Sequence, residues 1–329
     1  MTVSFAAQLE INGPEKVQTL SAEQARRWCR KLAGSHYENF SVLSSLVPAD
    51  LRDDFAAVYA FCRWADDLGD EIGDEQRSLD LLAWWRRELQ RCFEGDPRHP
   101  VFLALQSTIK RHRLPMEPFG DLIAAFQQDQ TVKRYETWDQ LLEYCRRSAD
   151  PVGRLVLMVC GEPRSKELFD LSDSICTALQ LTNHWQDIKR DLLARDRIYI
   201  PQELIRIENF EQRFRASARQ GFAVDHRFLG ESRALVRECV NRTWPLFEQG
   251  ELILPRLSAR TRPIIWLFMS GGRHVLSQVE MWNFETALHR PRLGKLTKAQ
   301  LVARAWLKAT FGTWGRHSRE QHEGTGIAP

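Results

Sequence analysis

Residues 51–71 read LRDDFAAVYAFCRWADDLGDE. Phe55, Tyr59, Cys62, Asp66 and Asp70 recur at the three- and four-residue spacing that places side chains on one face of an α-helix. The first three assign that face to the interior, and the two aspartates continue it. Carboxylates on an inward face are costly unless they are paired or bind a cation. Asp66 and Asp70 stand one turn apart and can converge on one ion, with Asp67 and Glu71 beside them. Alone, the segment reads first as a solvated acidic helix end, because acidic clusters on helices are common.

A second stretch changes that weighting. Residues 175–191 read ICTALQLTNHWQDIKRD, and Cys176, Gln180, Asn183, Asp187 and Asp191 share one helical stripe. Here too, acids stand where the periodicity expects apolar residues. Two such helices far apart in sequence predict two acidic clusters facing each other across a cavity. Oxygen ligands with no convergent His or Cys favour Mg²⁺ over zinc or iron. Mg²⁺ held by few carboxylates completes its shell with water and substrate phosphate, so the pair implies a diphosphate bound through Mg²⁺.

Outward from these two segments, helical periodicity dominates. It covers residues 51–71, 75–93, 137–148, 152–160, 166–194, 225–247 and 257–288. Gly95-Asp96-Pro97 stops the second, and Pro151 opens a helix at its first turn. Alternating strand patterns are scarce, and no Asn-Gly or Asp-Gly hairpin signal occurs. The predicted fold is all-α: one helical domain over residues 21–314 around an apolar cavity, with an irregular segment at 1–20 and a tail at 315–329. Gly271 and Gly272 are expected to break a helix, allowing either close packing or room for a long ligand. Trp84, Trp85, Trp266, Phe268, Trp282 and Phe284 read as core aromatics, some of them lining the cavity.

Composition narrows the function classes. The 329 residues are 43% hydrophobic and 10% aromatic, which excludes a disordered chain. A formal charge of +3 is too small an excess for a dedicated nucleic-acid binder. The seven cysteines form no CxxC pair and read as reduced thiols of a cytosolic protein. The N-terminus lacks the basic region of a signal peptide. The apolar run IIWLFMS at 264–270 is too short to span a bilayer.

The sequence resembles the squalene/phytoene synthase family over about residues 35–285. Asp66-Asp67-Leu68-Gly69-Asp70 looks like the family's first Asp-rich motif. Asn183-His184-Trp185-Gln186-Asp187-Ile188-Lys189-Arg190-Asp191 looks like the second, followed by Arg197-Ile198-Tyr199-Ile200-Pro201. Residues 36–42 (HYENFSV) and 144–154 (YCRRSADPVGR) are similar to the family's bacterial hydroxysqualene synthases, whose pattern has Pro and Asn where this chain has Ser41 and Asp150. Gln186 stands where the condensing synthases carry Arg. Tyr37, Glu38 and Asn39 replace their Ser/Lys-rich segment. Both changes read as loss of cations for a second diphosphate.

The resemblance implies that Asp66, Asp70, Asn183, Asp187 and Asp191 hold Mg²⁺ for presqualene diphosphate, which water converts to hydroxysqualene through a carbocation. It implies a diphosphate contact for Arg63, with an ion pair as the alternative. Tyr59 either steers the diphosphate or belongs to the core. Gln180 shares the second stripe. Arg197 and Tyr199 either close over the diphosphate or cap a loop. Tyr144 and Asp129 match cavity positions. His36 and Asn39 are candidates to position water. The alternatives are a head-to-head condensing synthase making presqualene diphosphate, squalene or phytoene, and a non-catalytic relative. A non-catalytic relative should have lost its acids, and this chain keeps Asp66, Asp70, Asp187 and Asp191. An unrelated helical binding module is a further class. The implied partners are a prenyl diphosphate, a membrane surface touched peripherally from the cytoplasmic side, and other enzymes of squalene and hopanoid synthesis. No nucleic acid is implied.

Overall fold

The computed structural model describes residues 4–16, 18–36, 46–220 and 225–312. Among them all regular structure is helical, apart from one isolated parallel bridge between Arg134 and Ile198. The helices run α1 (Phe5–Asn12), α2 (Ala22–His36), α3 (Arg52–Asp70), α4 (Glu75–Glu94), α5 (Pro100–His112), α6 (Glu117–Thr131) and α7 (Trp138–Ser148). They continue with α8 (Asp150–Val159), α9 (Lys166–Arg195), α10 (Phe210–Gln220), α11 (His226–Glu251), α12 (Arg262–Met281) and α13 (Lys295–Phe311). No helix among the described residues is long and apolar enough to cross a membrane.

The two helices that matter most are anchored differently at their starts. Asp53 and Asp54 occupy the first turn of α3, where acids complement the helix dipole. Asp54 is buried and accepts from Thr108 Oγ1 (2.8 Å) and Arg111 Nη1 (3.1 Å), which ties the start of α3 to the end of α5. Ser165 caps α9, accepting from the Leu168 amide at 3.2 Å. α9 then runs for 30 residues, roughly 45 Å, until Asp196 turns into the left-handed region at φ 54°. Pro151 sits in the first turn of α8, and Gly95 ends α4 at φ 102°.

α3 packs with α2, α4, α5 and α6, while α9 packs with α7, α8, α11 and α12. The fully buried face of α3 is the one through Phe61, Trp64 and Leu68. Trp64 stacks on Trp85 (centroids 5.5 Å, 14°), and Phe61 meets Phe119 edge-on at 5.0 Å. The Tyr59–Cys62–Asp66–Asp70 stripe is a separate flank, partly accessible rather than sealed in the core. Glycines bring α11 and α12 against α9. A Cβ on Gly250 would meet the Ile175 amide nitrogen at 3.1 Å and the Leu171 carbonyl at 3.2 Å. One on Gly272 would meet Phe247 at 2.9 Å and overlap Leu179.

Four expectations change. Residues 5–12 form α1 rather than an irregular lead, because Ser4 caps it and Phe5 packs edge-on against Trp64 at 5.1 Å. Gly271 and Gly272 do not break α12, since close packing is what Gly272 serves. The helical stretch expected over 257–288 is shorter, ending at Met281 before a loop with Asn283 and Phe284 at positive φ. Phe268 and Trp282 are exposed rather than core, whereas Trp84, Trp85 and Trp266 are buried. Helices over 22–36, 100–112, 117–131, 210–220 and 295–311 were not singled out by periodicity. The expected tail at 315–329 lies outside the described residues. All seven cysteines are unpaired.

Asp150, in the first turn of α8, is buried and accepts from Thr177 Oγ1 at 2.9 Å. Burial, with the Asp173 charge adding to it, pushes its carboxyl up to about 7. Such a group binds its proton more tightly in the folded chain, so stability is fullest below about pH 4 and falls as pH rises toward about 7. Asp150→Asn keeps an acceptor for Thr177 and removes the titration. It should raise stability at pH 8 by on the order of 2 kcal/mol and leave it nearly unchanged at pH 4. Thermal unfolding of both proteins across that range checks this; a difference independent of pH would contradict it.

Candidate active site

The two acid-bearing stripes meet through arginines. Arg195, in the last turn of α9, places Nη2 2.7 Å from Asp70 Oδ2 and Nη1 3.3 Å from Asp191 Oδ1. One guanidinium therefore joins the end of α3 to the end of α9. Arg197 adds a second link, donating from Nη1 to Asp70 Oδ1 at 2.8 Å. Its Nε donates to the backbone carbonyl of Asp129 at 3.0 Å. Both stripes carry partly accessible side chains: Tyr59, Cys62, Asp66 and Asp70 on α3, and Cys176, Leu179, Gln180 and Asp187 on α9, with Asn183 exposed.

The residues after α9 are held by backbone pairing. Ile198 donates its amide to the Lys133 carbonyl at 2.9 Å, and Gln202 donates to Tyr135 at 2.8 Å. This lays the Arg197–Pro201 segment along the chain that follows α6. It delivers Tyr199 to Asp129, whose carboxylate accepts from Tyr199 Oη at 3.1 Å and from Tyr144 Oη at 2.7 Å. Tyr199 also stacks on His184 of α9, with centroids 3.7 Å apart. Asp129, Tyr144, Arg197 and Tyr199 thus form one buried network backing Asp70. Burial pushes the Asp129 carboxyl up to about 6 against the opposing pull of Arg197 and Tyr144.

Arg63 grips Asp67 with both arms of its guanidinium, Nε donating to Oδ2 at 3.0 Å and Nη2 to Oδ1, and reaches Asp66 Oδ2 from Nη1 at 3.3 Å. This ion pair is compatible with either reading of Arg63, because a guanidinium resting on carboxylates can also meet a phosphate. Asp66 keeps 40% of its side-chain surface accessible. Protein nevertheless crowds it on the remaining sides. That burial, with the Asp70 charge adding to it, pushes its carboxyl up to about 7 despite Arg63. Asp191 is likewise raised to about 7 by burial and by Asp187.

Asp187 shows what linear reading missed. Arg290, from the loop between α12 and α13, pairs with it through Nε and through Nη2, the latter at 2.8 Å from Oδ2. Gln186 donates to the Pro291 carbonyl, anchoring the same loop. Gln186 therefore does not leave this end of the site without a cation: Arg290 provides one from a distant segment, which corrects the expectation of a cation-poor end. No signal in the linear sequence connects Arg290 to Asp187. Arg195 lies one turn after Asp191, a local signal that the motif reading passes over. Gln180 and Asn183 lie on the α9 stripe as expected. Tyr59 is partly buried against the core. Asn39 and the side chain of His36 lie outside the described residues.

Among the described residues no three His, Cys, Asp or Glu side chains converge into a ready-made metal cage. The donor set nevertheless suits Mg²⁺, which takes one or two carboxylates and completes its shell with water and phosphate. Burial first, and the charges of Asp70 and Asp187 second, raise the carboxyls of Asp66 and Asp191, and a divalent cation beside them would favour their charged forms. A separate open cleft of about 820 Å³, lined by Asp150, Arg147, Asp173 and Thr177 among others, shares no residue with the two motifs.

A family profile described as squalene/phytoene synthase matches residues 33–298. A hydroxysqualene synthase of Zymomonas mobilis is 40% identical over 175 residues, which is 52% of this chain and 57% of that protein. The chain thus spans little more than half the length of that relative. A 15-cis-phytoene synthase of Synechococcus elongatus is 29% identical over 88% of this chain and 95% of its own. Among solved structures, squalene synthase HpnC from Alicyclobacillus acidocaldarius superposes with a TM-score of 0.69 and 42% identity, covering 80% of this chain and 96% of that one.

Removing one donor from the Asp129 network should cost stability. Tyr144→Phe leaves a buried carboxylate oxygen without its 2.7 Å partner, a loss of about 1–3 kcal/mol. Chemical denaturation reads it directly; unchanged stability would mean that Tyr144 does not hold Asp129.

Proposed function

The chain belongs to the squalene/phytoene synthase family, and from that premise we propose that it converts presqualene diphosphate and water to hydroxysqualene and inorganic diphosphate. The observation that carries the reading is the joining of Asp70 to Asp191 through Arg195, which brings both acid motifs to one locus. The likeness to hydroxysqualene synthases of 40% identity supports the choice of reaction.

Asp66, Asp70, Asn183, Asp187 and Asp191 would hold Mg²⁺, which would neutralise the leaving diphosphate. Arg195, Arg197 and Arg290 now rest on Asp70, Asp191 and Asp187. A guanidinium exchanges one carboxylate for a phosphate oxygen with little change of geometry, so these three are placed to bind the diphosphate. The C–O bond breaks with its electron pair leaving on diphosphate. Tyr59, Cys62 and Leu179 on the flanking stripes would shield the resulting cation from early capture. One water then adds to the rearranged allylic cation and loses a proton, giving the alcohol. Tyr144 and Tyr199 act through Asp129, which fixes the segment that carries Arg197.

A second reading, head-to-head condensation of two prenyl diphosphates, draws on one observation. Arg290 restores a cation beside Asp187 where Gln186 had suggested its loss. The two readings differ in product. Incubation with presqualene diphosphate in ¹⁸O-water should yield a C30 alcohol carrying the label, read by mass spectrometry. Efficient condensation of farnesyl diphosphate alone, or an unoxygenated hydrocarbon product, would give the second reading its place.

Either reaction needs the acids. Asp66→Asn and Asp187→Asn should each lower Mg²⁺-dependent diphosphate release by at least about a hundredfold, roughly 3 kcal/mol of barrier, with helical content retained. Near-normal turnover in either variant would remove that residue from the site.

A further inference from the structure

The last described helix carries apolar side chains on both of its faces. Leu301 and Ala305 of α13 are buried, Val302 packs against the core, and Lys308 lies over the Trp266 ring of α12 at 5.5 Å. The opposite face is open. Leu296 is 78% exposed, Trp306 59%, Leu307 47% and Phe311 70%. With Ala299 and Ala303, also exposed, these residues fall on one side of the helix at three-, four- and seven-residue spacing. Isolated exposed apolar residues need no explanation, but a contiguous stripe marks an interaction surface.

Charge identifies the partner. Between Thr286 and Gly312 the sequence has Arg290, Arg292, Lys295, Lys298, Arg304 and Lys308 and no Asp or Glu, while the whole chain has a formal charge of only +3. Lys295 and Arg304 are exposed along the margins of the apolar stripe. An outward apolar face bordered by cations is the pattern of a helix lying in the interface of an anionic bilayer. A second copy of the same face would set like charges against each other, which disfavours self-association.

We propose that α13 docks the protein on an anionic lipid bilayer, with Leu296, Trp306, Leu307 and Phe311 entering the interface and Lys295 and Arg304 meeting the headgroups. The loop just before α13 carries Arg290 and Pro291, which hold Asp187 and Gln186. Docking therefore holds the Asp187 end of the site close to the lipid from which an apolar diphosphate would enter. This surface is independent of which reaction the enzyme performs, because its binding is measured without substrate.

The test is flotation of the full chain with vesicles of phosphatidylglycerol and phosphatidylcholine in equal parts, and with phosphatidylcholine alone. Binding to the anionic vesicles should be at least about tenfold stronger and should weaken in high salt. Leu296→Gln with Leu307→Gln and Phe311→Gln should lower it at least about tenfold, and so should Lys295→Glu with Arg304→Glu, both retaining helical content. Protein that stays unbound to anionic vesicles at low salt overturns the proposal. So does equal flotation of both variant sets with the wild type. Light scattering that shows a dimer dissolved by the apolar substitutions would assign the face to a second copy instead.

Discussion

A guanidinium held between two carboxylates from helices far apart in the chain is the contact on which the site depends. Asp70 ends α3, Asp191 lies in the last turns of α9, and Arg195 spans them. Arg195 and Arg197 hold Asp70, and Arg195 also meets Asp191. α3 is pinned on its other side by the Trp64–Trp85 stack, and α9 is held by glycine contacts at Gly250 and Gly272. Both carboxylates must find partners where the core leaves them. Buried ion pairs of this kind contribute little net stability, because desolvation offsets the attraction. What they do is join the last turn of α9, and the residue just beyond it, to the last residue of α3.

The surroundings follow from that constraint. Arg197 needs its own support, and the short pairing of residues 198–203 with 133–136 provides it. That pairing carries Tyr199 onto His184 and onto Asp129, so Asp129 becomes the acceptor that stabilises the whole segment. The arrangement keeps the motif acids close together while balancing much of their charge. A site balanced by movable guanidinium groups is suited to a polyanionic ligand, since each arginine can exchange one oxyanion for another. In the proposed reaction the leaving diphosphate provides those oxygens.

The chain after α12 ties the surface to this centre. Arg290 and Pro291 contact consecutive residues of α9, and α13 follows at once, presenting apolar side chains to solvent among cations. The same segment therefore touches the second motif and carries the charge-asymmetric face of the molecule.

The all-helical class and both acid motifs were legible in the sequence, because helical periodicity is a local property and an acid at an apolar position breaks it visibly. Asp66, Asp70, Asp187 and Asp191 could be singled out that way, as could the stop at Gly95 and the start at Pro151. Other features depended on distance in space. Phe5 forms a helix because Trp64 is there to receive it. Gly272 continues a helix because Leu179 and Phe247 crowd it. Arg290 reaches Asp187 from 103 positions away, and no periodicity links residues so separated. Sequence alone marked the acids of the candidate site, because a charge on an apolar stripe leaves a local mark. Only the tertiary structure decided which cations neutralise them, because a salt bridge depends on the positions of two helix ends that the linear order does not specify.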